Sequence, residues 1–488
     1  MEEGLAVQIG KGAGWIFLGM LVSYIISFFY RIFTARWLGP ADYGILSLVY
    51  MILGFGFTFF NFGMTTALTK LIAEYRAKGK DVSAFYPTGL FTAAGFGFLS
   101  FILFYFLAFP LSNLFGVQTF YFSLAAFIIP FMLLASITAG TLRGFKRMDL
   151  SSLCSISERL SKFLFTLALL FLGYGLFGAI VSIFLGYFLC FCFGFYLYTR
   201  LKKFFFSFKP EVAKLLLTFG FSVFIISVTS TFLGWTDTFF IGYFLSKEWV
   251  GYYNAALPVQ WVLALAISSL AIAIMPFFSE LSAKADARLK ETLRRSLKYA
   301  VYLLLPTSLA GFVLAEPIME ILFGPEYLAG AQAFRILAFA ALFMGLKQLT
   351  DSYLIGIGRP KVVMKFVIFA ACVNAVLNWF FVQLWGIQGA ALATTISIFL
   401  IFALSLGYIS QRITTGFPRY FLKSLLICIP MVAYILWIRP MPIVFLLKLL
   451  LILLGSLAIY LSLVWIFGLD KKDRKLIKFF LKKFIKRS

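Results

Sequence analysis

The sequence predicts an all-α polytopic membrane protein. About fourteen transmembrane helices form two parallel six-helix lobes around a central cavity, with two C-terminal helices added. Three observations predict it. Of 488 residues, 62% are hydrophobic and only 13% charged, with a mean hydropathy of +0.98; soluble domains sit near half apolar and a quarter charged. The apolar residues fall in long runs parted by short polar breaks. The basic residues alternate between those breaks.

Taken in order, the runs lie near 13–34, 43–63, 85–109, 117–141, 150–172, 176–199, 214–236, 250–276, 298–323, 328–355, 362–385, 388–411, 419–438 and 441–468. Each offers roughly the 20 residues that a spanning helix needs. The runs at 150–172 and 328–355 are the least apolar, because charges interrupt them. No cleavable signal peptide is expected, since the first run continues as a full span without a clear cleavage site. No polar segment is long enough for a soluble domain.

Orientation follows from Lys and Arg, which favour cytosolic loops. With the N-terminus inside, the inside segments and the C-terminal tail hold 34 basic residues, and the outside loops hold Arg36, Lys247 and Arg439. Both termini are therefore expected in the cytosol of a cell-membrane protein. The net charge of +24 is then chiefly a topology signal and a grip on anionic lipid, with no nucleic-acid partner implied. Two inside segments read as amphipathic helices lying on the membrane surface. One is 280–298, with Leu281, Leu289, Leu293 and Leu297 on one face. The other is the tail after 470, with Leu476, Ile477, Phe480, Leu481, Phe484 and Ile485 at helical spacing.

Several chemistries drop out. No histidine is present, so no His-ligated metal or Ser–His–Asp triad is possible, and no metal site or cofactor is expected. The five cysteines sit in or beside apolar runs without a CxxC pair, as small packing residues.

An internal repeat defines the organisation. Leu38 to Gly44 and Leu245 to Gly251 match in Leu and Gly at an offset of 207. Gly144-Phe145-Lys146-Arg147 and Gly356-Ile357-Gly358-Arg359 recur at 212, and Tyr174 to Ala179 and Trp385 to Ala390 at 211. Six helices per repeat give both halves one orientation, and parallel repeats rocking about a central cavity are a transporter architecture. The predicted parts are an N-lobe at 1–205, a C-lobe at 206–415, two further helices at 416–468 and a basic cytosolic tail at 469–488.

The same residues carry a resemblance. Ala35-Arg36-Trp37-Leu38-Gly39-Pro40-Ala41-Asp42-Tyr43-Gly44, Arg143-Gly144-Phe145, Asp237 with Gly242, Val250-Gly251-Tyr252-Tyr253, Leu322-Phe323-Gly324-Pro325-Glu326-Tyr327, Gly358-Arg359-Pro360, Asn374 with Asn378, and Gly386-Ile387-Gln388-Gly389-Ala390-Ala391 span about residues 10–410. Jointly they resemble the polysaccharide flippases of the multidrug/oligosaccharidyl-lipid/polysaccharide exporter superfamily. Lipid II flippases and multidrug and toxin extrusion transporters are related branches. The resemblance implies a flippase, not an enzyme. Such a protein moves undecaprenyl- or dolichyl-linked oligosaccharide from the cytosolic to the outer leaflet by alternating access, for cell-surface polysaccharide or glycan synthesis. It implies a lipid-linked oligosaccharide, membrane lipids and H⁺ or Na⁺ as partners, beside glycosyltransferases or a polymerase of polysaccharide assembly. It also supports cations along the cavity, particularly on the first helix.

Charges inside spans are expensive and mark sites. A lipid pyrophosphate carries about two negative charges, which Arg suits through its permanent charge and fork of donors. Arg31, Arg159 and Arg335, then Lys162 and Lys347, are the expected headgroup contacts. Asp237, Asp351 and Glu158 are the expected ion-coupling carboxylates. Glu158/Lys162 and Lys347/Asp351 are also spaced as i,i+4 pairs. Two other functions compete. A cation-coupled multidrug exporter would favour carboxylates in the cavity, where this sequence has more cations. A membrane glycosyltransferase or polymerase would need catalytic carboxylates in a sizeable outside loop, and the outside loops are short.

Overall fold

The computed structural model describes residues 2–286, 288–442 and 444–470. Its helices are α1 (Glu2–Asn61), α2 (Met64–Ala77), α3 (Phe85–Phe115), α4 (Thr119–Gly144), α5 (Met148–Phe171), α6 (Gly175–Leu201), α7 (Pro210–Phe244), α8 (Lys247–Ala283), α9 (Arg288–Val313), α10 (Ala315–Phe323), α11 (Ala331–Gly356), α12 (Pro360–Ser410), α13 (Phe417–Ile438) and α14 (Phe445–Leu463). A 3₁₀ turn at Pro325–Gly330 leads into α11, and a π turn at Val464–Gly468 follows α14. No strand occurs among the described residues. The predicted surface helix of the C-terminal tail lies outside them.

Among the described residues, ten helices are long and apolar enough to cross a membrane, or up to eleven if the bent α8 is one span. Two of the ten are interrupted: α1 breaks at Gly39 and α12 at Gly386. The helix α5 is not among the ten, because Glu158, Arg159 and Lys162 sit in its middle. The repeat reappears in the backbone. Gly386 (φ 57°) and Gly175 (φ 51°) hold the left-handed conformation open to glycine at an offset of 211. Asp81 accepts a hydrogen bond from the Ser83 amide (2.9 Å), and Asp286 from the Arg288 amide (2.8 Å), in the turns that open α3 and α9. The Ser83 hydroxyl and the Arg288 guanidinium, in first place, hold these two carboxyls below their ordinary range.

The chain divides into two compact units. The first holds Met1–Ala255, Leu322–Tyr327 and Asn378–Ile387. In it α4 packs on α3 and α6, α5 on α6, and α1 on α5 and α7. The second holds Ala256–Ile321, Leu328–Leu377 and Gln388–Ser488. There α9 packs on α11 and α13, and α13 on α14.

One sequence expectation is overturned in the second unit. Residues 280–298 are not a single surface helix. The chain turns after Ala283 and starts α9 at Arg288. Leu293 and Leu297 are fully buried in the unit's core, with Leu289 packed against it. An apolar face at helical spacing reads alike whether lipid or protein covers it. Here Leu304, Leu346, Leu349 and Ile427 of the same core supply protein.

Candidate substrate and ion sites

Motifs far apart in sequence converge within the first unit. The Tyr327 hydroxyl donates to the Ala35 carbonyl (2.8 Å), and the Arg36 Nε donates to the Leu322 carbonyl (2.8 Å). The Tyr327 ring stands edge-on to Tyr43 and Tyr252. The repeated loops clasp each other directly. A Cβ on Gly44 would overlap the Lys247 carbonyl, and one on Gly251 would overlap the Pro40 carbonyl. Pro40 and Lys247 are themselves equivalent at the offset of 207. The clasp is thus one contact made twice, and both positions must lack a side chain.

Beside this clasp lies a small pocket lined by Tyr30, Arg31, Tyr43, Ser47, Tyr50, Trp235 and Asn254. Its free space of about 10 Å³ suits a single water. The Arg31 side chain meets the Tyr43 hydroxyl. Tyr43, Ser47 and Tyr50 share one face of the helix that follows Gly39, by their i, i+4, i+7 spacing. That periodicity is the sequence signal for these pocket residues, which a search for charges alone passes over.

The pocket tyrosines continue into a buried charge cluster. The Tyr50 hydroxyl donates to that of Tyr30 (2.9 Å). Lys162 Nζ sits 5.2 Å from the Tyr30 ring centre and 5.8 Å from that of Tyr50. It donates to Glu158 Oε1 at 2.9 Å, the i,i+4 pair expected from the sequence. Arg159 Nε lies 3.9 Å from Glu158 Oε2, and its Nη1 donates to the Ser27 hydroxyl on α1. Arg31, Arg159, Lys162 and Glu158 therefore belong to one network on α1 and α5, drawn together by the packing of those helices.

Asp237 occupies a second site in the same unit. It is buried on α7. The Asn378 amide donates to its Oδ1 (2.8 Å) and the Tyr253 hydroxyl to its Oδ2. Three quoted motifs, 141 and 16 residues from Asp237, meet here. The Asn378 amide and the Tyr253 hydroxyl fix the orientation of both carboxylate oxygens.

Arg335, Lys347 and Asp351 lie in the second unit. Lys347 Nζ donates to Asp351 Oδ2 (2.7 Å), again as an i,i+4 pair, while the buried Asp351 Oδ1 makes no hydrogen bond among the described residues. Arg335 has an acidic partner that the sequence did not suggest. Its Nη2 donates to Glu316 Oε1 (2.7 Å), and Arg439 donates to the other oxygen of the same carboxylate. Glu316 thus ties α11 to the turn between α13 and α14. Its partners lie 19 and 123 residues away, beyond any periodicity. Glu316→Ala leaves two guanidiniums facing each other. It is expected to cost about 1–2 kcal/mol at these half-exposed positions. The checks are a lowered and salt-sensitive melting temperature in detergent, and unchanged transport per folded molecule.

Against known proteins, the polysaccharide biosynthesis protein family matches residues 9–282 and the MatE family residues 222–380. An uncharacterized membrane protein of Methanocaldococcus jannaschii is 26% identical over 441 residues, 83% of this chain and 85% of that protein. A Haloferax volcanii protein named as a flippase of low-salt glycan biosynthesis is 26% identical over 212 residues, 43% of this chain and 45% of its own. A Shigella flexneri protein named as an O-antigen transporter is 22% identical over 413 residues, 81% of this chain and 96% of its own. Among solved structures, a lipid II flippase in an inward closed conformation shares the fold. Its TM-score is 0.78 at 19% identity, over 95% of this chain and 99% of that one.

Proposed function

This chain belongs to the polysaccharide biosynthesis protein family, and from that premise we propose that it flips a polyprenyl-phosphate- or pyrophosphate-linked oligosaccharide. The direction is from the cytosolic to the outer leaflet, and the coarser reading, a membrane flippase or transporter of glycan precursors, draws on two relatives, one named as a glycan-biosynthesis flippase and one as an O-antigen transporter. The single observation that carries the finer reading is the cluster on α1 and α5. Arg31, Arg159 and Lys162 outnumber Glu158 there, and tyrosines flank them. A net positive, partly buried site matches a phosphate headgroup. A carrier of cationic drugs would need the opposite balance. Lys347 and Arg335 have carboxylate partners of their own in the second unit, so the headgroup role is assigned first to the α1/α5 set.

Asp237 is the favoured coupling residue, because its carboxylate is buried where three of the quoted motifs meet, with the Asn378 amide and the Tyr253 hydroxyl donating to it. H⁺ and Na⁺ are the candidate ions. The experiment is reconstitution of Arg31→Ala and Arg159→Ala in liposomes holding a fluorescent polyprenyl-pyrophosphate oligosaccharide. Each variant is expected to insert at wild-type levels and lose at least about 90% of the flipping rate, one charge-assisted contact being worth roughly 1.5–3 kcal/mol. Full activity in both variants removes the site.

A further inference from the structure

We infer that Glu158 is a built-in stand-in for the phosphate: it holds Lys162 and Arg159 while no headgroup is bound and yields them to one that arrives. The inference rests on the headgroup reading above. Its geometry is asymmetric. Glu158 Oε1 is hydrogen-bonded to Lys162 at 2.9 Å, whereas Oε2 stands 3.9 Å from Arg159 Nε, close enough for attraction but too far for a hydrogen bond. That Nε is buried and makes no hydrogen bond among the described residues. A carboxylate on α5 therefore satisfies one cation and reaches toward the other. A phosphate group, with more acceptor oxygens and more charge, is able to satisfy both.

The surroundings allow the exchange. The Arg159 side chain is 35% exposed, so a headgroup has a way to reach it, while Lys162 behind it is 10% exposed. The Tyr30 and Tyr50 rings over Lys162 keep a cation-binding face on it when the carboxylate turns away. Arg159 stays fixed to α1 through Ser27. Two needs explain a carboxylate among cations. Uncompensated cations in a span are costly. A phosphate that met them with no competitor would be held too tightly to be released on the far side.

The test is equilibrium binding of farnesyl diphosphate, with farnesol as the uncharged control, to the full-length protein in detergent micelles. Wild type is expected to prefer the diphosphate, Arg159→Ala to weaken its binding, and Glu158→Gln to tighten it about tenfold. Because Glu158→Gln strips Lys162 of its carboxylate and risks misfolding, the comparison is repeated between Lys162→Gln and the double variant Lys162→Gln with Glu158→Gln. There, too, loss of Glu158 is expected to tighten binding, through Arg159. Unchanged or weaker binding when Glu158 is removed, with Arg159→Ala still weakening it, overturns the inference and leaves the headgroup reading standing. No preference of wild type for the diphosphate over farnesol overturns both.

Discussion

Gly251→Val is expected to abolish transport in a protein that still inserts and folds. The Gly251 Cα faces the Pro40 carbonyl so closely that any Cβ overlaps backbone atoms, and backbone cannot swing aside as a side-chain tip does. Overpacking against fixed atoms costs about 1–3 kcal/mol or more. At about 3 kcal/mol the closed clasp loses roughly a hundredfold in population relative to an open one. Gly44→Val faces Lys247 in the same way and is expected to act alike. Gly407→Val, at an exposed α12 position with open space around its Cα, is expected to transport normally. Ser47→Cys reports on the clasp, since it is buried and lines the pocket beside it. With the five native cysteines replaced, a membrane-impermeant maleimide is expected to label Ser47→Cys rapidly in the Gly251→Val background and slowly with Gly251 intact. Equal labelling contradicts the clasp as a gate.

Asp237→Asn is expected to leave the fold intact while removing ion-driven transport. The amide oxygen still accepts from Asn378, and the side-chain volume is unchanged, so the buried site keeps its shape. What disappears is the carboxylate that the proposed coupling ion would pair with. Accumulation driven by an imposed H⁺ or Na⁺ gradient is expected to fall at least about a hundredfold, the loss of roughly 3 kcal/mol of coupling. Asp237→Ala behaves differently. It leaves the Asn378 amide and the Tyr253 hydroxyl facing an empty site, and an unsatisfied buried donor costs about 1–3 kcal/mol. That variant is expected to melt several degrees lower as well. Gradient-driven transport by Asp237→Asn at the wild-type rate contradicts a coupling role.

What the sequence made legible follows from the range of its signals. Helical periodicity reaches four residues, and both i,i+4 pairs, Glu158/Lys162 and Lys347/Asp351, stand as the spacing predicts. Repeats reach further, and the loops at Leu38 and Leu245 proved to be partners because equivalence by symmetry also places them face to face. Contacts made only by tertiary packing left no such trace. Glu316 bridges Arg335 and Arg439, and Asn378 reaches Asp237, without any spacing to announce them. Amphipathicity misled at 280–298, because periodicity identifies an apolar face and not what covers it. The charged α5 was the opposite case. Its polarity weakens it as a span and strengthens it as a site.

The central claim is movement of a phosphate-linked glycan between leaflets, and one sided assay tests it most directly. Wild-type protein is reconstituted in liposomes carrying a labelled polyprenyl-pyrophosphate oligosaccharide, and the fraction open to a membrane-impermeant reagent is followed over time. Translocation is expected in wild type and not in Gly251→Val. Efflux of a lipophilic cationic dye is expected to be negligible in both. Absence of glycolipid movement together with ion-dependent dye efflux would contradict the flippase reading and make the chain a drug exporter.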